Sequence, residues 1–166
     1  MKEYNLERFI DAQNKYNTYK TAISEIKTGR KHSHWIWYVF PQLKGLGFSY
    51  NSNYYGIEDS NEAKKYLEHP ILGHRLVEIS EALLNLQENN PKVVMGGSPD
   101  DMKLQSSMTL FDSVSKPNSV FHSVLDKFFS GEKDQKTLKI LRGSLKKISI
   151  CNLSRINRHK AVFFNL

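Results

Sequence analysis

The 166 residues are 39% hydrophobic and 25% charged, the balance of one ordinary globular domain, and long enough to bury a core without a disulfide or metal staple. A single cysteine, Cys151, excludes an internal disulfide and any Cys-based zinc cluster, and no apolar run approaches the ~20 residues of a membrane helix. The opening Met1–Asn5 leads into a polar amphipathic stretch rather than the apolar segment of a secretory signal, so the expected location is cytoplasmic.

The first periodic segment spans about Asn5 to Thr28. Leu6, Phe9, Ile10, Tyr16, Tyr19, Ile23 and Ile26 recur at steps of three and four, the pattern of an amphipathic helix. Asn5 is the expected N-cap, Gly29 the C′ residue, and a break is expected near Asn14–Asn17. Trp35–Phe40 is a continuous apolar run too short for periodicity to separate helix from strand. Lys44–Glu58, rich in Gly, Ser, Asn and Tyr, reads as a functional loop.

Ser60 is the expected cap of a helix through Tyr66 and Leu67, stopped at His69-Pro70 because a residue before proline is pushed out of the helical region. Pro70 then opens a helix through Ile71, Leu72, Leu76, Ile79, Leu83 and Leu84, ended by Asn89-Asn90-Pro91. Ser98-Pro99-Asp100-Asp101 is the clearest helix start, with serine at the cap, proline at N1 and acids facing the positive end of the helix dipole. Ser119 to Ser130 gives another helix, stopped by Gly131, and Asp134 caps a last one through Leu141. The alternation of strands and helices that marks an α/β sheet is absent. The expected fold is all-α: a compact single-domain bundle of six or seven helices over residues 1–141, with residues 142–166 as a basic C-terminal tail.

Charge follows the same division. Six of the 24 Lys and Arg residues, and none of the 17 acids, fall in residues 142–166, so residues 1–141 carry 18 basic against 17 acidic side chains. A near-neutral body lacks the global field of a phosphate-tracking protein, which leaves nucleic-acid binding to the tail alone.

No P-loop, Rossmann, nucleophile-elbow or zincin motif is present, and no cofactor is expected. His32 and His34 are two apart, His69 and His74 five apart, and neither spacing puts both rings on one helix face, so no metal site is expected. The chemistry concentrates elsewhere. Gly29–Gln42 runs Arg30, Lys31, His32 and His34 straight into Trp35, Trp37, Tyr38 and Phe40: aromatic faces can stack a planar ring while cations hold an anion, though the same residues also serve as core anchors beside a solvated helix end. His34 and Gln42, polar within an apolar segment, need partners if buried. Asp100, Lys103 and Ser107, at i, i+3 and i+7, share one helix face; with Thr109 they either wall a pocket or form an ion pair and a helix crossing.

Taken together, His34–Gln42 with Gly45-Leu46-Gly47, Tyr55-Gly56-Ile57, His69–Gly73, Ser98–Lys103 and Ser106–Phe111 resemble the uncharacterised family grouped as domain of unknown function 1810, some of whose members carry a calpastatin label. The resemblance covers about Leu6 to Leu141 and implies a compact, mostly helical protein without an established activity, substrate or cofactor, so it transfers no catalytic residue. Its motif positions match here at His34, Trp35, Trp37, Gln42, Tyr55, Lys103, Ser107 and Thr109. These eight are the expected ligand-binding residues, meeting around a pocket for a planar anionic small molecule such as a nucleotide derivative, with His34 as the acid/base candidate because its ordinary pKa lies near neutrality. The alternative is a non-catalytic protein-interaction module that presents the Trp-rich segment and Tyr54-Tyr55.

Overall fold

Helix α1 (Glu7–Asn14) turns through a 3-10 segment, Lys15–Asn17, into α2 (Thr18–Lys27). In this computed structural model, which describes residues 2–143, the joint falls within the expected break: Tyr16 and Asn17 adopt φ of 53° and 56°, a left-handed pair that reverses the axis. Asn5 does not cap α1. Leu6 occupies that position without a side-chain hydrogen bond, and the exposed end is held instead by the Leu6 carbonyl accepting from Phe9 N at 3.1 Å.

Trp35–Phe40 resolves as helix. Ile36–Val39 forms a single turn, α3, and Tyr50–Tyr54 forms another, α4, inside the Lys44–Glu58 loop. The base of that loop is tied by Ile57 N donating to the Gln42 carbonyl (2.9 Å) and Lys44 N to the Ile57 carbonyl (2.8 Å). This short parallel bridge, Leu43 to Ile57, brings Gln42 back beside Asn51–Gly56.

Helix α5 (Ser60–Glu68) starts one residue earlier than its sequence suggests, because the Asp59 carboxylate, not the Ser60 hydroxyl, accepts from Asn61 N and Glu62 N. It stops at His69-Pro70, where the His69 ring accepts the free Ile71 and Leu72 amides of α6 (Leu72–Leu84). The one-turn α7 (Pro91–Val94), capped by Asn90, leads to α8 (Asp100–Val114). Here Pro99 rather than Ser98 stands at the cap, and the Ser98 hydroxyl donates to Asp101 at 2.7 Å. Ser119 caps α9 (Val120–Phe129), accepting from His122 N. Asp134 caps a final helix, α10, over residues 135–143, accepting from Thr137 N at 2.9 Å.

The expected all-α architecture is therefore the observed one. Seven helices of two turns or more and three single turns make it up, with no strand among the described residues. Helix α8 is its axis, packed against α5 and α9, while α6 closes on α2, α5 and α9. Leu104, Met108, Leu110 and Phe111 of α8 are fully buried, and an aromatic chain from Phe9 through Tyr66 and Phe111 to Phe121, with ring centroids 5.1 to 5.7 Å apart, joins α1 to α9. No helix among the described residues is long and apolar enough to cross a membrane. The expected basic tail lies, from residue 144 onward, outside the described residues.

Candidate functional site

The eight residues singled out by the sequence divide into two groups. Trp37, Gln42, Tyr55 and Lys103 line one cleft, together with Ile36, Phe40, Asn51, Ser52 and Gly56. His34, Trp35, Ser107 and Thr109 do not. His34 is exposed and touches the fold through its carbonyl, which accepts from the Tyr38 hydroxyl at 3.1 Å, so no acid/base group of imidazole type faces the cleft. Thr109 is buried and accepts from Asp134 N at 2.9 Å, anchoring α10. Ser107 is also buried, its hydroxyl without a partner.

Trp35 belongs to a separate structural knot. Its ring is wholly buried and its indole N–H donates to Glu25 at 2.7 Å. The same carboxylate accepts from His32 N, Ser33 N and the Ser33 hydroxyl. Burial opposes charge on Glu25, yet the Ser33 hydroxyl, the His32 and Ser33 amides and the Trp35 indole outweigh it and hold the carboxyl down at about 2. That latch turns the Gly29–Trp35 segment so that α3 projects Trp37 onto α8.

On α8, the Lys103 ammonium sits 4.8 Å from the Trp37 ring centroid and 3.0 Å from Asp100. Asp100 also receives Lys31 at 2.6 Å, and Lys31 in turn lies 5.1 Å over Trp35. Burial disfavours charge on Asp100, but the two lysines hold its carboxyl below the usual range. Two cations thus share one anion, leaving one positive charge in excess behind the cleft.

The opposite wall comes from the 42–57 loop. Gln42 is nine-tenths buried, at 9% exposure, and its carboxamide makes no hydrogen bond within the described residues. The Asn51 carboxamide and the Tyr55 hydroxyl likewise make no hydrogen bond among the described residues, and burial pushes the Tyr55 phenol up. The wall is close-fitted: a Cβ on Gly56 would meet Lys44 Cα and the Ser52 carbonyl at 2.8 Å, and one on Gly47 would meet Ser52 Oγ at 2.6 Å. The space between the walls is about 10 Å³, room for one water-sized group. Among the described residues no three His, Cys, Asp or Glu side chains come together as a metal would require.

Asn51, Ser52 and Glu25 were not legible as site or support residues. Asn51 carries no mark in the sequence that separates it from Asn53 in the same polar loop; only the Gln42–Ile57 bridge selects it.

The family model described as protein of unknown function (DUF1810) matches residues 3–141. The chain belongs to the DUF1810 family. A solved relative is the conserved hypothetical protein Rv1873 from Mycobacterium tuberculosis, at 41% identity and a TM-score of 0.79, over 82% of this chain and 96% of that one. No curated protein matches. The DUF1810 match spans both walls of the cleft, from Trp37 and Gln42 to Lys103.

Proposed function

We propose that this DUF1810 protein binds a planar anionic small molecule with its charged end in the cleft between Lys103 and Gln42. The observation that carries the reading is Gln42, a residue nine-tenths buried whose carboxamide lies at the cleft and makes no hydrogen bond among the described residues. An amide without a protein partner is free to donate to an oxygen that enters the cleft. Around it stand donors, namely the Lys103 ammonium and the Asn51 and Gln42 carboxamides, and the surplus positive charge selects an anion. The ligand's ring stays at the half-buried faces of Trp37 and Tyr55.

A thermal-shift series over nucleotides, sugar phosphates and aromatic acids tests this. A ligand at 100 times its dissociation constant stabilises by about 2.7 kcal/mol, and the shift disappears in Gln42→Leu and Lys103→Met. A series without a shift, or a shift that both variants keep, overturns the reading.

One observation favours a second reading, the protein-interaction module. Phe48 is 93% exposed, and Tyr50 and Tyr54 stand exposed beside it, their rings stacked 5.7 Å apart. Trp35 is buried, so Trp37, half-buried, is the tryptophan left to that surface. Phe48→Asp with Tyr50→Asp abolishes any self- or partner association under this reading while leaving the melting temperature unchanged.

A further inference from the structure

Resting on the cleft reading, we infer that the site takes a carboxylate in preference to a phosphate, which narrows its ligands from planar anions at large to ring carboxylates. The first argument is charge. Lys103 does not face the cleft as an isolated cation: Asp100 holds it at 3.0 Å and holds Lys31 at 2.6 Å. The cluster has one positive charge in excess, and a carboxylate cancels it. A phosphate monoester carries about 1.5 to 2 negative charges at neutral pH, and the remainder would face Asp100. Lys31 is almost wholly buried and Asp100 mostly so, so salt screens this balance poorly.

The second argument is shape. The space is about 10 Å³, room for one water-sized group, and Trp37, Phe40 and Tyr55 are among the residues that line it. A carboxylate fills that space with one oxygen, beside the Lys103 ammonium and the Gln42 amide that line it, and keeps its second oxygen at the mouth. A phosphate monoester brings three terminal oxygens on a tetrahedral centre, two of which that space leaves outside.

Two probes with the same ring separate the chemistries: benzoate and phenyl phosphate, titrated into the full chain at pH 7.5 and followed by NMR of the Gln42 side-chain amide and the Trp37 indole. Benzoate moves both signals and binds about tenfold or more tighter than phenyl phosphate, the size of effect expected for a like-charge contact in a partly buried site. Asp100→Asn adds one positive charge and narrows or inverts that ratio. Because Asp100→Asn also leaves Lys31 without its counter-ion, Lys31→Met provides an independent arm: it removes the surplus charge from outside the cleft and weakens benzoate by a comparable factor. Phenyl phosphate binding as tightly as benzoate, with Lys103→Met abolishing both, overturns the carboxylate preference and leaves the cleft reading standing. An unchanged ratio in Asp100→Asn, or unchanged benzoate affinity in Lys31→Met, overturns the charge argument. Failure of both probes to move Gln42 and Trp37 overturns both readings.

Discussion

Trp35 and Trp37 are two residues apart, each with a lysine ammonium over its ring, and Asp100 bridges the two ammoniums. Their surroundings are nevertheless opposite. Around Trp35 the polar groups are paired: the indole N–H, two backbone amides and a hydroxyl all converge on Glu25. Around Trp37 the polar groups are donors in waiting, with the Gln42 and Asn51 side chains making no hydrogen bond among the described residues. A buried polar group is kept either because it holds the fold together or because something else completes it. The difference between the two tryptophans lies in which of these conditions their neighbours meet.

The strongest way to break that distinction is to truncate both rings. Trp35→Ala removes a fully buried ring and leaves Glu25 one donor short, so a loss of about 3–5 kcal/mol is expected by chemical denaturation. Trp37→Ala, at a half-buried face, costs only about 1–2 kcal/mol. Equal costs would place both tryptophans in one structural core. Glu25→Gln comes next. The Glu25 carboxyl is held at about 2, down from 4.5, so its contribution is fully present above about pH 5 and is lost as pH falls from 4.5 toward 2. The variant is expected to lose about 1–2 kcal/mol at pH 7, less than the full shift would imply because the group is partly exposed. Its stability should also fall less steeply than the wild type's between pH 5 and 2. A parallel acid limb in the two proteins would show that Glu25 is not the latch.

The helices were legible because their apolar spacing and turn residues agree with the packing. His69-Pro70 ends α5 and Gly131 follows α9 as expected, whereas α6 starts at Leu72 and stops at Leu84, ahead of the expected end at Asn89-Asn90-Pro91, and Pro91 opens α7. The Phe9, Leu76, Leu104 and Phe121 stripes all face the core. Cap identity was less legible, since Asp59 and Ser60 are both competent caps and only the path of the preceding loop decides between them. Half of the cleft followed from residue type. Trp37, Gln42 and Lys103 stood out because cations and amides beside large rings are unusual. The rest depended on facts with no sequence signal: that α3 is one turn of helix, which points Trp35 inward and Trp37 outward, and that the Leu43–Ile57 bridge folds Asn51 over Gln42. Ser107 shows the limit. Its i+4 spacing from Lys103 puts it on the cleft-facing side of α8, yet one turn of rise carries it beyond the cleft into the core.

Gln42→Leu probes the unpaired wall directly. Because the carboxamide makes no hydrogen bond among the described residues, replacing it with a chain of similar size should change stability by no more than about 1 kcal/mol in either direction. The thermal shift given by an anion should disappear in the same variant. A loss near that of Glu25→Gln would mean that Gln42 has a structural partner and that the two tryptophan environments are alike.

The smallest expected effect is at Ser107, and it separates an unpaired group that awaits a ligand from one that simply has no partner. Ser107 and Thr109 are two residues apart in α8 and both are fully buried. The Thr109 hydroxyl accepts from Asp134 N, whereas the Ser107 hydroxyl bonds to nothing and lines no part of the cleft. Unlike Gln42, it lies where neither a ligand nor bulk water completes it. Ser107→Ala deletes one polar atom and little volume, so relief from desolvation and loss of packing nearly offset, and a change between zero and about 1 kcal/mol of stabilisation is expected. Ligand-induced thermal shifts should be unaltered in this variant. If Ser107→Ala instead weakens an anion's shift as Gln42→Leu does, the hydroxyl belongs to the site after all, and the cleft must open one helical turn deeper along α8 when its ligand enters.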